Sequence, residues 1–193
     1  MEQADIDYEI LVREKSRKGL LYWSIASMVI FFGAFLSYYL VMMHNSNWLV
    51  FQLPDIFFLS SAVIVISSIT LLIAKNALKT NNFKLVSLSL LTTLILGIVF
   101  CILQFKAWEY LFAHKIVFAG KSSNVAGSIL YVITFMHFVH LIAGLIALLV
   151  TFVKSTKHQY TAEKHLGFSL CSIFWHFLDI LWVILFLFLY FNR

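Results

Sequence analysis

The chain has 193 residues, of which 62% are hydrophobic and 12% are charged, and it contains one proline. A soluble domain normally carries roughly 25% charged residues. The composition therefore indicates an integral membrane protein, and it excludes an intrinsically disordered chain, a secreted disulfide scaffold and a nucleic-acid-binding protein. The formal net charge is +5, and in a membrane protein an excess of Lys and Arg is typical of cytoplasmic loops. Cys101 and Cys171 lie in apolar stretches without Cys-x-x-Cys spacing, so neither a disulfide nor a zinc site is indicated.

Five apolar stretches are long enough to cross a membrane, at about residues 20–43, 56–74, 85–112, 126–153 and 167–191. A hydrocarbon core of about 30 Å requires about 20 helical residues. The stretches are continuous and do not alternate with polar residues, which predicts helices instead of barrel strands. The sequence therefore predicts an all-α integral membrane protein: a leader, residues 1–19, followed by one domain of five transmembrane helices, residues 20–193.

Lys and Arg residues are distributed unevenly between the two ends of the predicted spans. Ten of the 14 lie on the side of the N-terminus, among them Lys75, Lys79 and Lys164. The four on the other side are Lys106, Lys115, Lys121 and Arg193. This asymmetry predicts a cytoplasmic N-terminus and an external C-terminus. We expect the leader to be solvated, with a helix along the membrane surface as the alternative, and the first span to remain in the mature protein because it is too long for a signal peptide.

The first two predicted helices carry small and hydroxyl side chains that suit close packing against neighbouring helices or a lipid. These residues are Ser24, Ser27, Gly33 and Ser37 on the first helix, and Ser60, Ser61, Ser67, Ser68 and Thr70 on the second. The third helix ends with Lys106, Trp108, Glu109 and Tyr110. Interfacial aromatics beside an i,i+3 ion pair are typical of an anchored helix end, and Glu109 is also a candidate for contact with the last two helices.

Ionisable residues lie near the middle of the last two predicted helices, where an unpaired charge costs several kcal/mol. The fourth helix carries His137 and His140, and the fifth carries His176 and Asp179 between Trp175 and Trp182. Because the short connecting loop favours antiparallel neighbours, we expect these polar faces to meet, with Asp179 accepting a hydrogen bond from the imidazole of His176.

The favoured hypothesis is an interhelical polar clamp, formed by His137, His140, His176, Asp179 and Glu109, that fixes the register of the helices. A proton relay, a haem or metal site and a transport site remain alternatives. A metal site is disfavoured because one Asp with scattered histidines matches no common ligand spacing.

Three motifs carry a resemblance to a known family. Residues 175–182 read WHFLDILW, residues 137–144 read HFVHLIAG, and residues 107–110 read AWEY. In order, spacing and membrane placement, this pattern resembles subunit III of the haem-copper terminal oxidases, in the five-helix bacterial form. There the corresponding stretches read approximately Trp-His-Phe-Val-Asp-x-x-Trp and His-Gly-x-His-Val-x-x-Gly, with a Glu-Tyr or Glu-Trp pair at the end of the earlier helix.

The resemblance implies an accessory subunit of a proton-pumping cytochrome c oxidase in aerobic respiration. Such a subunit has no active site of its own and binds no haem, copper or other metal, because these cofactors belong to partner subunits. It packs against catalytic subunit I, in a complex with subunit II and further subunits, and it holds structural phospholipid. The implied location is the bacterial cytoplasmic membrane, with the first helix facing the catalytic partner.

The chain departs from the family pattern at three positions. The first helix reads Ser27-Met28-Val29, whereas the family often has a buried, carbodiimide-reactive Glu at the position of Met28. Lys106 stands where the family commonly has Gln, and Phe138 where it has Gly. A five-helix chain also lacks the two-helix bundle that forms one wall of the family's lipid cleft. Any proton-linked role of the family carboxylate is therefore expected to be absent here or moved to another residue.

Two alternatives remain at this stage. A subunit III-like protein also serves nitric oxide reductase or a quinol oxidase, and the sequence does not separate these partners. A small proton-coupled transporter that uses His176 and Asp179 is the more distant alternative. It is disfavoured because transporters often contain broken helices, whereas the only proline, Pro54, lies at the mouth of the second span.

Overall fold

The computed structural model describes residues 2–43, 53–116, 118, 124–161 and 165–192, and these residues contain five α-helices. The helices are α1 (Glu2–Met43), α2 (Ile56–Lys79), α3 (Phe83–Ala113), α4 (Val125–Thr156) and α5 (Leu166–Phe191). Each is long and apolar enough to cross a membrane. The predicted all-helical fold with five spans is therefore confirmed. Lys121, Lys164 and Arg193 of the charge count lie outside the described residues.

The helices begin and end close to the predicted limits, except at the N-terminus. Helix α1 begins at Glu2, so the leader continues the first span as one helix of 42 residues. Residues 2–18 contain neither glycine nor proline, and the pairs Glu9–Arg13 and Glu14–Lys18 have the i,i+4 spacing that supports a helix. The composition and the charge spacing of the leader therefore favour a helix, although its many charged residues alone suggest a solvated segment.

Asparagine side chains cap the first turns of α3 and α4. Between α2 and α3, Asn81 adopts a left-handed conformation with φ of 53°, which Asn tolerates better than most residues. The side chain of Asn82 then accepts a hydrogen bond from the backbone N–H of Leu85 at the start of α3. At the start of α4, the Asn124 side chain accepts one from the N–H of Ala126. The turn between α2 and α3 makes these two helices a hairpin.

Helices α2, α3, α4 and α5 form a closed four-helix bundle, in which each contacts the next and α5 returns to α2. Helix α1 packs on the outside of this bundle, against α4 and α5. The core contains Trp175 and Trp182 of α5 and Phe100 of α3, each 1% exposed or less. Helix α5 packs against α1, α2 and α4, and Trp182 also contacts Phe100 of α3, so the polar residues of α5 have several possible partners.

Candidate functional site

Trp175, in the middle of α5, occupies a pocket formed by three other helices. Its indole Nε1 donates a hydrogen bond of 3.1 Å to the hydroxyl of Ser67 on α2. A Cβ atom at Gly97 of α3 would lie 2.7 Å from Cη2 of Trp175, and one at Gly144 of α4 would lie 3.4 Å from Cε3. The absence of side chains at these glycines makes the space for the indole. Trp175 thus fixes α5 against α2, α3 and α4 at once.

Trp182, two turns further along α5, makes a second contact of the same kind. Its Nε1 donates a hydrogen bond of 3.1 Å to the hydroxyl of Ser61 on α2. The ring stacks on Phe57 at 5.9 Å between centroids and meets the edge of Phe100 at 5.0 Å. The ring of His137 on α4 lies 5.1 Å away. His137 therefore packs as an aromatic ring in the core, and in the described part of the chain neither of its nitrogens makes a hydrogen bond.

His176 and Asp179 do not form the predicted clamp between α4 and α5. Nδ1 of His176 lies 2.6 Å from the hydroxyl of Ser68, so this histidine faces α2. Asp179 is buried and also lies near Ser68, but outside hydrogen-bonding geometry. Among the described residues, no hydrogen-bond partner is found for either oxygen of Asp179. The expected bond between Asp179 and His176 is therefore not formed, and α2 supplies the partner that we expected from α4.

His140 and Glu109 lie outside this cluster. Nδ1 of His140 is 2.7 Å from the carbonyl oxygen of Met136 on its own helix, and its ring lies 5.8 Å from Phe32 of α1. Glu109 is exposed near the end of α3. No printed contact among the described residues joins either side chain to His176 or Asp179, so the network of five residues stays a prediction.

The aromatic residues at the end of α3 have separate roles. Nε1 of Trp108 donates a hydrogen bond of 3.0 Å to the hydroxyl of Thr134, which ties α3 to α4. Tyr110 is exposed and stacks on His114 of the same segment at 4.0 Å. Trp108 therefore connects helices, whereas Tyr110 faces outward, as an interfacial anchor would.

The hydroxyl residues of α2 take a larger part in the core than the sequence analysis predicted. Ser60 accepts a hydrogen bond of 3.2 Å from Nε2 of the buried Gln104, and Thr70 lies 2.7 Å from the hydroxyl of Thr93. A signal was present in the spacing. The two serines that bind the tryptophans, Ser61 and Ser67, are six residues apart on α2, and the tryptophans are seven apart on α5. Such similar intervals, each about two helical turns, bring these residues together on antiparallel helices.

The cluster offers hydrogen bonds and aromatic packing between helices. Within the described ranges, no three His, Cys, Asp or Glu side chains are grouped so that they would bind a metal ion. The buried polar atoms without hydrogen-bond partners among the described residues include both carboxyl oxygens of Asp179 and Nε2 of His176, and both of these residues lie near Ser68.

Comparison with known proteins identifies the family. The sequence model described as cytochrome c oxidase subunit III matches residues 4–193. The chain belongs to this family. A cytochrome c oxidase subunit 3 from Loxodonta africana is 28% identical over 190 residues, covering 93% of this chain and 70% of that protein. The protein of the same name from Chondrus crispus is 27% identical over 194 residues, covering 93% and 68%. That from Paracentrotus lividus is 33% identical over 132 residues, covering 68% and 48%.

Within this subunit III fold, the WHFLDILW segment supplies the residues that α5 presents to the other helices. At the position where the resemblance places the family's buried carboxylate, this member has Met28, which is partly buried and packs against the core from α1. Phe138, at a position where the family commonly has Gly, packs its ring at 5.5 Å from that of Trp108. The larger side chain at 138 thus fills space between α3 and α4.

Proposed function

We propose that this chain is the accessory subunit III of a proton-pumping haem-copper terminal oxidase, with cytochrome c as the electron donor of the complex. It stabilises catalytic subunit I, and the haems and copper belong to its partner subunits. The observation that carries the proposal is the family match over residues 4–193, together with the use of the WHFLDILW motif. In the core, both motif tryptophans bind serines of α2, which is a structural role.

Helix α1 supplies the surface that fits a partner subunit. Trp23 is 78% exposed and Ile30 is 74% exposed, and a Cβ atom at Gly33 would meet no atom within 4 Å. A bare glycine on an exposed apolar helix permits the close approach of another helix. We therefore place α1 against catalytic subunit I, with subunit II and the remaining subunits elsewhere in the complex.

Bound phospholipid is the second part of the proposal. A cavity of about 340 Å³ lies between α1, α4 and α5, and it is lined mainly by apolar side chains such as Leu21, Val150 and Phe174. Lys154 also lines it. An apolar cavity with one cation suits an acyl chain whose phosphate lies near the amine. This arrangement supports lipid binding without the two additional helices of the seven-helix form.

The protein is a multi-pass membrane protein, and we propose the bacterial cytoplasmic membrane as its location, with the N-terminus in the cytoplasm. The support is the charge asymmetry of 10 to 4 Lys and Arg residues. The relatives named above are eukaryotic, so the compartment rests on the charge pattern and the five-helix form. Attachment of a cysteine-reactive, membrane-impermeant label to Cys introduced near residue 8 or residue 192 would test the orientation.

The decisive experiment is to tag the chain, solubilise the membranes in mild detergent, and record the haem spectrum and the identity of co-purifying proteins. We expect a stoichiometric oxidase with oxygen-consuming activity that accepts electrons from cytochrome c. A quinol-oxidising complex would change the electron donor, and a nitric oxide reductase core would replace the oxidase. A chain that purifies alone in several mild detergents would contradict the accessory role and would favour a transporter.

A further inference from the structure

The seam between α2 and α5 contains a row of polar residues that the structural role does not use. At the N-terminal end of α5 and along this helix, four polar residues follow one another at intervals of seven, four and three residues: His165, Ser172, His176 and Asp179. Such intervals place side chains along one stripe of a helix. His165 stands just before α5, and His176 lies about 16 Å further along the helix axis. The stripe therefore leads from the end of the bundle toward its middle.

All four members of this stripe, including His165 through its Nδ1, carry a buried polar atom that has no hydrogen-bond partner among the described residues. Asp179 is 4% exposed and Ser172 is 2% exposed. Among the described residues, no partner is found for either oxygen of Asp179, the hydroxyl of Ser172 or Nε2 of His176. A buried polar group without a partner costs about 1–3 kcal/mol, and a charged carboxylate costs more. If the stripe served only to fix the register of the helices, we would expect these polar groups to have hydrogen-bond partners.

Helix α2 places a hydroxyl between the two ionisable residues. The oxygen of Ser68 lies 2.6 Å from Nδ1 of His176 and beside the carboxyl group of Asp179. A serine hydroxyl donates one hydrogen bond and accepts others, and it rotates freely. A small rotation of the Asp179 side chain therefore completes a chain of hydrogen bonds from His176 through Ser68 to Asp179.

One end of the seam opens to a basic cavity. Lys75, Lys79 and His165, with Leu78 and Phe168, line a cavity of about 130 Å³. Lys75 is exposed, lies seven residues after Ser68 on α2, and is within electrostatic range of His176. The cavity has room for water, which would connect the outer part of the stripe with the aqueous phase.

We propose that Asp179, Ser68 and His176 form a proton-loading site in the α2–α5 seam, filled from the end of the bundle where Lys75 and His165 lie. A water-borne proton binds Nε2 of His176, and Nδ1–H of the same ring donates its proton to the oxygen of Ser68. The O–H proton of Ser68 passes to the carboxylate of Asp179. His176 is left as the other neutral tautomer, Ser68 is restored, and Asp179 has gained one proton.

The other ionisable groups around the α2–α5 seam are directed away from Asp179 or lie at the entry to the seam. Helices α1, α2 and α4 all contact α5. From α4, His137 packs on Trp182 and His140 is turned toward Phe32 of α1. From α1, the hydroxyl of Tyr39 donates to the carbonyl of Asn192 at the far end of α5. Lys75 and Lys79 of α2 lie at the entry. None of these described groups forms an ion pair with Asp179. Protonation is therefore the remaining way to neutralise its carboxylate.

Infrared spectroscopy of the full chain, in the assembly in which it purifies, tests the site. The protonated carboxyl of Asp179 should give a C=O stretching band that Asp179→Asn removes. Transfer to D₂O should shift this band to lower frequency. In Ser68→Ala the band should remain. Its shift in D₂O should not occur within the time that the unmodified protein needs to shift completely. His176→Leu should have the same effect.

Two control variants separate proton access from folding. Ser61→Ala removes a hydroxyl seven residues away on α2 that binds Trp182, and His140→Leu removes an imidazole outside the seam; both should keep the shift in D₂O. Two results would overturn the proposal: a carboxyl band that Asp179→Asn does not remove, or a shift that Ser68→Ala and His176→Leu leave as fast as the controls do. If Asp179→Asn fails to fold, labelling with ¹³C-aspartate identifies the aspartate band instead. Its shift in D₂O is then compared between the Ser68→Ala and Ser61→Ala proteins.

Discussion

Helices α1 and α5 have similar mean hydropathy in their most apolar windows, yet they differ in where their polar atoms are directed. On α5, Trp175 and Trp182 donate hydrogen bonds to α2. On α1, the hydroxyls of Ser24 and Ser27 bond to carbonyls of their own helix. In a bilayer, lipid tails are as apolar as leucine, so hydropathy does not distinguish a core helix from a peripheral one.

This difference in hydrogen bonding indicates different structural roles for α1 and α5. Helix α5 holds the bundle together through interhelical hydrogen bonds and close packing around glycines. Helix α1 contributes two fully buried aromatic side chains, Phe32 and Tyr39, and otherwise presents an apolar surface outward. A helix of this kind is stable in a membrane because its backbone is satisfied internally, and its outer face remains available for lipid or a partner subunit.

The largest test of this comparison replaces a tryptophan on each helix. Trp175→Ala removes a fully buried indole from the pocket of Gly97 and Gly144, and we expect a loss of about 3–5 kcal/mol in unfolding free energy. Trp23→Ala removes an indole that is 78% exposed, so its effect should stay within about 0.5 kcal/mol. Unfolding midpoints in mixed detergent–SDS titrations measure both. Equal losses would show that α5 is not the organising helix.

Glycines on the two helix surfaces give a smaller and sharper test. Gly97→Ala places a Cβ atom 2.7 Å from both Cδ2 of Leu145 and Cη2 of Trp175, and overpacking of this kind costs about 1–3 kcal/mol. Gly33→Ala meets no atom within 4 Å, so the bundle should unfold as before. The same detergent titration compares them. A Gly33→Ala protein that unfolds normally but loses its co-purifying oxidase would locate the partner on α1, whereas unchanged stability of Gly97→Ala would contradict the packing around Trp175.

The five helices could be predicted because each long apolar stretch must satisfy its backbone internally. The continuation of the leader and the first span as one helix was not predicted, although Glu9–Arg13 and Glu14–Lys18 have spacing that supports a helix there. For the site, periodicity correctly placed His176 and Asp179 on one stripe of α5, but it does not state which neighbour the stripe faces. Helix α5 packs against α1, α2 and α4, and its tryptophans also reach α3, whereas loop length pointed only to α4.

The same limit explains the other site residues. His140 lies three residues after His137, which is close enough to share a face by spacing, but the small rotation between them turns one ring toward α1 and the other toward Trp182. Glu109 could not be placed for a different reason, because the sequence does not tell which side of a helix end faces outward. The sequence predicts how deep a polar residue lies in the membrane. Which neighbouring helix its side chain faces depends on how the helices pack.

The smallest test concerns a hydroxyl of α1 that donates a hydrogen bond outside its own helix. Tyr39 donates a hydrogen bond of 3.0 Å to the carbonyl of Asn192, just after α5, and its ring lies 5.3 Å from that of Phe188. Tyr39→Phe keeps the ring and removes the donor, so we expect a loss of at most about 1.7 kcal/mol. Hydrogen–deuterium exchange should become faster at residues 188–192, while Tyr38→Phe, an exposed neighbour, should leave it unchanged. Unaltered exchange in Tyr39→Phe would mean that ring packing alone holds α1 to the end of α5, and that polar contacts between helices are confined to the four-helix bundle.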